Sequence, residues 1–273
     1  MNLPLIDLRN TPEYCAGHLV GATHIPWAEL PERLNELPAR PALLSIMGSE
    51  TDCIAAQAYL VSKGYRVKIE VDWQAKLTQK QPGLVSFGTE SRILWSPSPL
   101  IKEWLTLVQA DLHQPLKNLK AIDLGCGGGR DAVFLAQQGL FVKAIEHKPA
   151  VLERAQQLAK HHQATIDFKS CDLTDPNCYG EQDFERWDLV VCIRFLNRQL
   201  FPVMRQSIRP KGFVVFQTFT EGCEVFGSPK NPNFILKPAE LSEVFHDFTI
   251  LIDRIDSLPD GRPVASFIAQ KKG

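Results

Sequence analysis

The sequence contains no Cys-x-x-Cys pair, and none of its seven cysteines stands at zinc-ligand spacing from a histidine. No metal site is therefore expected from cysteine arithmetic. The first residues, MNLPLIDLRN, lack a basic stretch followed by an apolar one, so no secretory signal is expected there. Without such a signal, the odd set Cys15, Cys53, Cys126, Cys171, Cys178, Cys192 and Cys223 is expected as free thiols in a reducing cytoplasm. Long apolar runs are also missing, and a segment such as 189–193 is far too short to cross a bilayer. Neither sign of charge is in excess. With 30 Lys and Arg against 31 Asp and Glu, the net charge of −1 gives no support for a nucleic-acid or membrane-surface protein. What is present is globular material: 273 residues, 44% hydrophobic, enough for one large domain or two smaller ones.

One stretch organises the rest. Residues 121–131 read Ala-Ile-Asp-Leu-Gly-Cys-Gly-Gly-Gly-Arg-Asp, and an apolar-periodic segment, 132–136, follows. That is the pattern of a strand, a tight turn and a helix. Glycines let the backbone turn sharply and approach a ligand, and the helix start offers unpaired N–H groups. A dinucleotide fingerprint would place a third glycine where Arg130 stands. Asp123, just before the turn, would repel a pyrophosphate but would suit the ammonium and sulfonium of S-adenosylmethionine (SAM). A glycine-rich turn with no ligand is the remaining alternative.

The pattern after the turn alternates. Strands are expected over 141–145, 165–169, 187–193 and 212–219, helices over 149–161, 198–208 and 238–245, and a final strand pair over 248–255 and 263–270. A further helix is expected before the turn, over 99–112, with Ser98 as its cap. Alternation of this kind predicts an α/β, Rossmann-like, mostly parallel seven-stranded sheet with an antiparallel edge. Ligands of such sheets bind at the carboxyl ends of the strands. Asp123, Glu146 and Asp172 fall at three successive strand ends.

Asp-Leu-Gly-Cys-Gly-x-Gly with those acids resembles motif I of the class I SAM-dependent methyltransferases. The resemblance covers nearly all of residues 91–273. It implies SAM as cofactor, held by Asp123, Gly125, Cys126, Gly127, Arg130, Asp131, Glu146, His147, Asp172, Leu173 and Arg194. Glu146 would accept the ribose hydroxyls, and Asp172 would face the adenine amino group. Acceptors usually meet SAM beside the fourth strand end, which reads Arg194-Phe195-Leu196-Asn197-Arg198. Arg194 and Arg198, four apart, would share a face in a helical turn and favour an anionic acceptor; a surface pair or salt bridges are the plain alternative. Trp95, Arg194, Arg198 and Thr220 are the acceptor-side candidates, and the long loop over 221–237 is a candidate lid. No general-base constellation is evident, so the catalytic residues stay open; soft nucleophiles need mainly proximity and alignment. The motifs around 123–136, 193–198 and 217–241 are similar to the tellurite-resistance (TehB-type) and thiopurine-type methyltransferases. That similarity implies a small acceptor, a thiol or a chalcogen oxyanion. No N-P-P-Y motif follows the fourth strand, which argues against a nucleic-acid acceptor.

Residues 7–26 carry Asp7, Arg9, Glu13, Tyr14, Gly17, His18, Gly21, Ala22, Ile25 and Pro26 in a pattern that resembles the rhodanese family. A rhodanese needs a persulfide cysteine at the head of its active loop, but counting back from residues 58–60 puts Met47 there. Cys53 stands at the far end of that loop, as a small buried residue or a thiol activated by a helix start. The organisation expected is a truncated, inactive rhodanese-like domain over 1–75, a linker over 76–90 and a methyltransferase domain over 91–273. The expected function is methyl transfer to a small acceptor. Its alternatives are a SAM-binding scaffold, with a protein partner on the first domain, and persulfide handling through Cys53.

Overall fold

The computed structural model describes residues 3–79, 83–111 and 116–273. The chain divides into two compact units, 1–96 and 97–273.

In the first unit, β1 (Leu5–Asp7), α1 (Thr11–Ala16), β2 (His18–Leu19), β3 (Ala22–His24), β4 (Leu43–Met47), α2 (Glu50–Ser62), β5 (Arg66–Ile69), α3 (Trp73–Thr78) and β6 (Val85–Ser86) follow in order. Four strands form a parallel sheet in the order β3-β1-β4-β5, and β2 pairs antiparallel with β6. Ile6, Leu30, Leu44, Ile46, Cys53 and Leu60 are central to its core. Asp7 and Arg9 form a two-pronged ion pair, with Nε at 2.9 Å from Oδ1 and Nη2 at 2.6 Å from Oδ2. Tyr14 stacks between His18 and His24, at centroid distances of 3.9 and 4.3 Å.

The expected linker is instead tied to this unit. Residues 74–78 belong to α3, and 85–86 pair with β2. The Glu90 carbonyl accepts from the Tyr14 hydroxyl, and the Arg92 carbonyl accepts from the Thr23 hydroxyl at 2.6 Å. A polar stretch without a period can be ordered when its backbone groups find partners, here on β2, α1 and the edge strand β3.

The second unit contains α4 (Pro99–Asp111), β7 (Lys120–Leu124), α5 (Arg130–Gln137), β8 (Phe141–Glu146), α6 (Pro149–His161), β9 (Ile166–Ser170), β10 (Trp187–Ile193), α7 (Phe201–Ser207), β11 (Ile208–Phe219), α8 (Glu240–Val244), β12 (Thr249–Ser257) and β13 (Pro263–Gln270). Leu112, the expected end of α4, lies outside the described residues. The sheet has seven strands in the order β12-β13-β11-β10-β7-β8-β9. All neighbours from β11 to β9 are parallel, and β13 runs antiparallel to both β11 and β12. The expected fold is therefore present.

Side-chain alternation sorts the sheet residues onto two covered faces. Ile122, Val190 and Phe216 pack with Phe201, Met204 and Phe245 on one face. Ala121, Leu189, Val191 and Val215 pack with Trp104, Ala132 and Leu135 on the other. This is why β10 is buried at every position and reads as a near-continuous apolar run, interrupted only by Asp188. The helix expected over 198–208 begins as a 3-10 turn, Arg198–Leu200, and α7 proper ends at Ser207. Pro210 and Gly212 suggest a late start for β11, but Ile208 already pairs with Trp187 across an irregular register.

Chain order reverses around β7. Its sequence successor β8 lies on one side, whereas β10 lies on the other, so the carboxyl ends of β7 and β10 flank the switch point.

Candidate functional site

The turn after β7 is held to its neighbour by backbone bonds. The N–H groups of Gly125 and Cys126 both donate to the Ile145 carbonyl of β8, at 3.0 and 2.9 Å. Gly125, Gly127 and Gly129 all have positive φ, at 75°, 54° and 79°. Their reasons differ. A Cβ on Gly129 would lie 2.8 Å from the Cβ of Ala155 in α6, so this glycine serves helix packing. A Cβ on Gly125 would meet the Phe195 ring at 3.1 Å. A Cβ on Gly127 would meet nothing within 4 Å, which marks the open side of the cradle.

Asp123 lies at the mouth of this turn and is 2% exposed. Among the described residues, its Oδ2 has no hydrogen-bond partner. Burial pushes its carboxyl well above the ordinary range, and the nearby carboxylates Asp131 and Glu146 push it further; the Ala132 N–H opposes them. Asp131, in the first turn of α5, accepts a hydrogen bond from the Ser98 N–H at 2.6 Å. Burial raises its carboxyl as well, against the pull of that N–H and of Arg194 and Arg130. Three acids thus converge on one glycine cradle, with one carboxylate oxygen buried and unpaired. The arrangement calls for a cation with hydrogen-bond donors. The ammonium and sulfonium of SAM fit it, and a pyrophosphate does not.

The other candidates spread along the same edge of the sheet. Glu146 ends β8, with one oxygen accepting from the Lys148 N–H at 3.0 Å and lying 3.3 Å from His147 Nδ1. His147 is exposed. Asp172 follows β9, exposed, and accepts from the Thr174 N–H and hydroxyl at 2.9 and 2.8 Å. Those two bonds hold its carboxyl below the ordinary range. Leu173 is buried beside it. Cys126 is half-buried, and burial followed by Asp123 drives its thiol far up, so it is no nucleophile. Arg130 opens α5.

On the acceptor side the expectations divide. Arg194 is exposed at the end of β10, with φ of 59°, and its N–H donates to the Gln217 carbonyl. It does not share a helical face with Arg198, because the chain between them is not helical. Arg198 instead forms a two-pronged ion pair with Glu240 and donates to the carbonyls of Asn233 and Ile235 at 3.0 and 2.9 Å. It staples the 221–237 loop. Thr220 is buried and donates its hydroxyl to the Leu236 carbonyl at 3.0 Å, which closes the base of that loop. Trp95 is a buried residue of the first unit.

The free-thiol expectation is corrected at two positions, since Cys171 and Cys178 are joined as a disulfide. They stand seven positions apart, and no spacing rule connects such a pair. Cys53 is buried, its thiol pushed up to about 11 by burial and then by Asp52 and Asp7. Sequence reasoning missed Phe195 against Gly125, the Ser98 N–H on Asp131, and Glu240. None of the three carries a local motif.

Residues 115–243 match the family described as "Methyltransferase domain". The Schizosaccharomyces pombe protein "Uncharacterized protein UNK4.09" is 23% identical, over 97% of this chain and 93% of its own length. A "Ubiquinone biosynthesis O-methyltransferase" of Rickettsia akari is 26% identical, over 63% of this chain and 73% of its own. Among solved structures, TehB from Haemophilus influenzae shares the fold with a TM-score of 0.50 and 20% identity, over 63% of this chain and 62% of that one. With the glycine cradle and its three acids, these findings identify the second unit's core, residues 115–243, as a class I SAM-dependent methyltransferase domain with S-adenosylmethionine as its cofactor.

Proposed function

We propose that the protein transfers a methyl group from SAM to a small, soft and anionic acceptor, a thiol or a chalcogen oxyanion, brought beside Arg194. In this reading Asp123 and Asp131 receive the amino-acid end of SAM, Glu146 its ribose, and Asp172 and Leu173 its adenine. When bound, SAM supplies an electrophilic methyl on a sulfonium. The chain itself would supply placement: a cradle open at Gly127, and a cation beside the switch point. The observation that carries the cofactor placement is the buried Oδ2 of Asp123, without a partner among the described residues. The acceptor class rests on Arg194, exposed at the end of β10 and close enough to Asp131 to lower that acid's affinity for a proton. A screen with methyl-labelled SAM tests it. Transfer to small thiols, selenite or tellurite, reduced by Arg194→Ala, is the expected result. No transfer to any of them would overturn the acceptor class.

A second reading takes a phenolic acceptor. The 221–237 loop presents Val225, Phe226 and Phe234, 79, 54 and 53% exposed, which would suit an aromatic substrate. The Rickettsia relatives carry the name of O-methyltransferases. A simple catechol in the same screen separates the two readings.

For the first unit we propose a rhodanese-like module without sulfur transfer. Its support is the Asp7–Arg9 pair, the Tyr14–His18–His24 stack and Met47 at the head of the loop. Persulfide chemistry at Cys53 is disfavoured, because a buried thiol with a raised pKa is neither accessible nor ionised. The module would serve a protein partner, and pull-down with residues on α2 altered would test that role.

A further inference from the structure

Cys171 and Cys178 enclose the segment that leaves β9, with their Cα atoms 6.0 Å apart. Inside the bridge the chain makes two aspartate turns. Asp172 Oδ1 accepts from the Thr174 N–H and hydroxyl, and Asp175 Oδ1 accepts from the Asn177 N–H and side-chain amide at 2.9 and 3.0 Å. Backbone bonds from Asp175 to Asp172 and from Cys178 to Asp175, at 3.0 and 2.8 Å, complete the loop. Lys169 Nζ donates to the carbonyls of Asn177 and Cys178, both at 3.2 Å. The two sulfurs are not equivalent. Cys178 is 2% exposed and packs in the core beneath the sheet, whereas Cys171 is half-buried at the loop's start.

We propose that the Cys171–Cys178 pair is a redox site that sets the affinity of the SAM site through Asp172 and Leu173. The proposal rests on the reading that places those two residues at the adenine. Asp172 is the residue next to one bridged sulfur, and Leu173 follows it, so the bridge fixes the backbone that presents both. An oxidised loop is pre-organised, and a reduced loop must be ordered when the ligand arrives.

The chemistry is thiol–disulfide exchange. The thiolate of a small-molecule thiol attacks Cys171 Sγ, the more accessible sulfur. The Cys171–Cys178 bond breaks, its electron pair goes to Cys178 Sγ, and that sulfur takes a proton from water. A second reductant thiolate attacks the reductant sulfur of the mixed disulfide and expels Cys171 as a thiolate, which is protonated in turn. The net change is two protein thiols and one reductant disulfide, for two electrons and two protons. Oxidation is the reverse, with a small-molecule disulfide such as oxidised glutathione as the electron acceptor. In a reducing compartment the pair is a dithiol and the site is in its weaker state.

The test uses the full chain and S-adenosylhomocysteine as the probe. Protein treated with oxidised glutathione and protein treated with a phosphine reductant are titrated calorimetrically, and alkylation with mass spectrometry reads the state of each cysteine. The oxidised protein is expected to bind about three- to tenfold more tightly. Cys171→Ser and Cys178→Ala are expected to bind like the reduced protein under both treatments, whereas Cys15→Ser should respond like the wild type. Equal affinity in the two wild-type states, or oxidation that does not link Cys171 to Cys178, would overturn the proposal without needing any variant to fold. Asp172→Ala in the reduced protein keeps the two failures apart. If it weakens binding while redox state does not, the switch alone falls. If it leaves binding unchanged, the adenine placement falls, and the switch argued through it falls as well.

Discussion

Each unit turns a corner from a parallel strand into a helix at the carboxyl edge of its sheet, and the two corners differ in what they leave unsatisfied. In the first unit, β4 runs through Gly48 and Ser49 into α2. Ser49 Oγ accepts from the Asp52 N–H at 3.1 Å and donates to the Asp52 carboxylate at 2.7 Å. A Cβ on Gly48 would meet Leu8 at 3.1 Å, and Cys53 packs into the core. That corner is closed, capped by its own side chains. In the second unit, β7 runs through three left-handed glycines into α5, and no side chain caps the helix. Among the described residues a buried carboxylate oxygen has no partner, and a Cβ on Gly127 would project into open space. A strand–turn–helix corner becomes a binding site when its polar groups and its space are left for a ligand.

Removing the unpaired acid breaks the contrast most sharply. Asp123→Ala is expected to weaken SAM binding by about 2–5 kcal/mol, a loss of at least thirtyfold. Thermal unfolding of the same variant should show the free protein no less stable than wild type, because the carboxyl is buried, has one hydrogen bond from the Ala132 N–H, and has no partner for its second oxygen among the described residues.

The glycines come next, and they should separate packing from binding. Gly129→Ala is expected to destabilise the fold by about 2–4 kcal/mol, through positive φ and collision with Ala155. Gly127→Ala should cost about 1–2 kcal/mol from its positive φ alone. Denaturant unfolding and SAM titration of both variants would place stability loss mainly at Gly129 and affinity loss mainly at Gly127.

The pH dependence follows from the same acid. The folded free protein keeps the Asp123 proton above its ordinary value of 3.8. The stability this proton confers is full below that value and is lost as pH rises through the raised one. A cationic ligand requires the ionised form. SAM affinity should therefore climb across that window by up to about tenfold per pH unit, then level off. Proton release on binding, read by calorimetry in buffers of different ionisation enthalpy, checks the sign.

Smaller effects are expected away from the cradle. Arg198→Lys keeps the charge but loses the forked geometry on Glu240 and the bonds to residues 233 and 235. Hydrogen exchange over 231–237 should quicken, with SAM affinity unchanged. Cys53→Ser should leave thiosulfate:cyanide sulfurtransferase activity at background and cost about 1 kcal/mol of stability.

Much of the second unit was legible because its signals are local. The apolar run of 187–193, the proline at the start of α6 and the glycine turn each specify a backbone state within a few residues. Asp123, Glu146 and Asp172 were legible as residues at or just after strand ends because the strands that lead to them carry clear apolar patterns. For Arg198 the sequence left an acceptor contact and a salt bridge both open, because its partner, Glu240, lies 42 residues on, across a loop whose path no periodicity encodes. The Cys171–Cys178 bridge and the ties of residues 84–92 to β2, α1 and β3 were hidden for the same reason. Spacing shows which residues could share a helical turn, and it is silent on what a loop brings back.

Calorimetric titration of the wild-type protein and Asp123→Ala with SAM and S-adenosylhomocysteine tests the central claim most directly. Micromolar binding of both ligands by the wild type, lost in a folded Asp123→Ala, is the predicted result. Undiminished affinity in Asp123→Ala would contradict the placement of the cofactor in the glycine cradle.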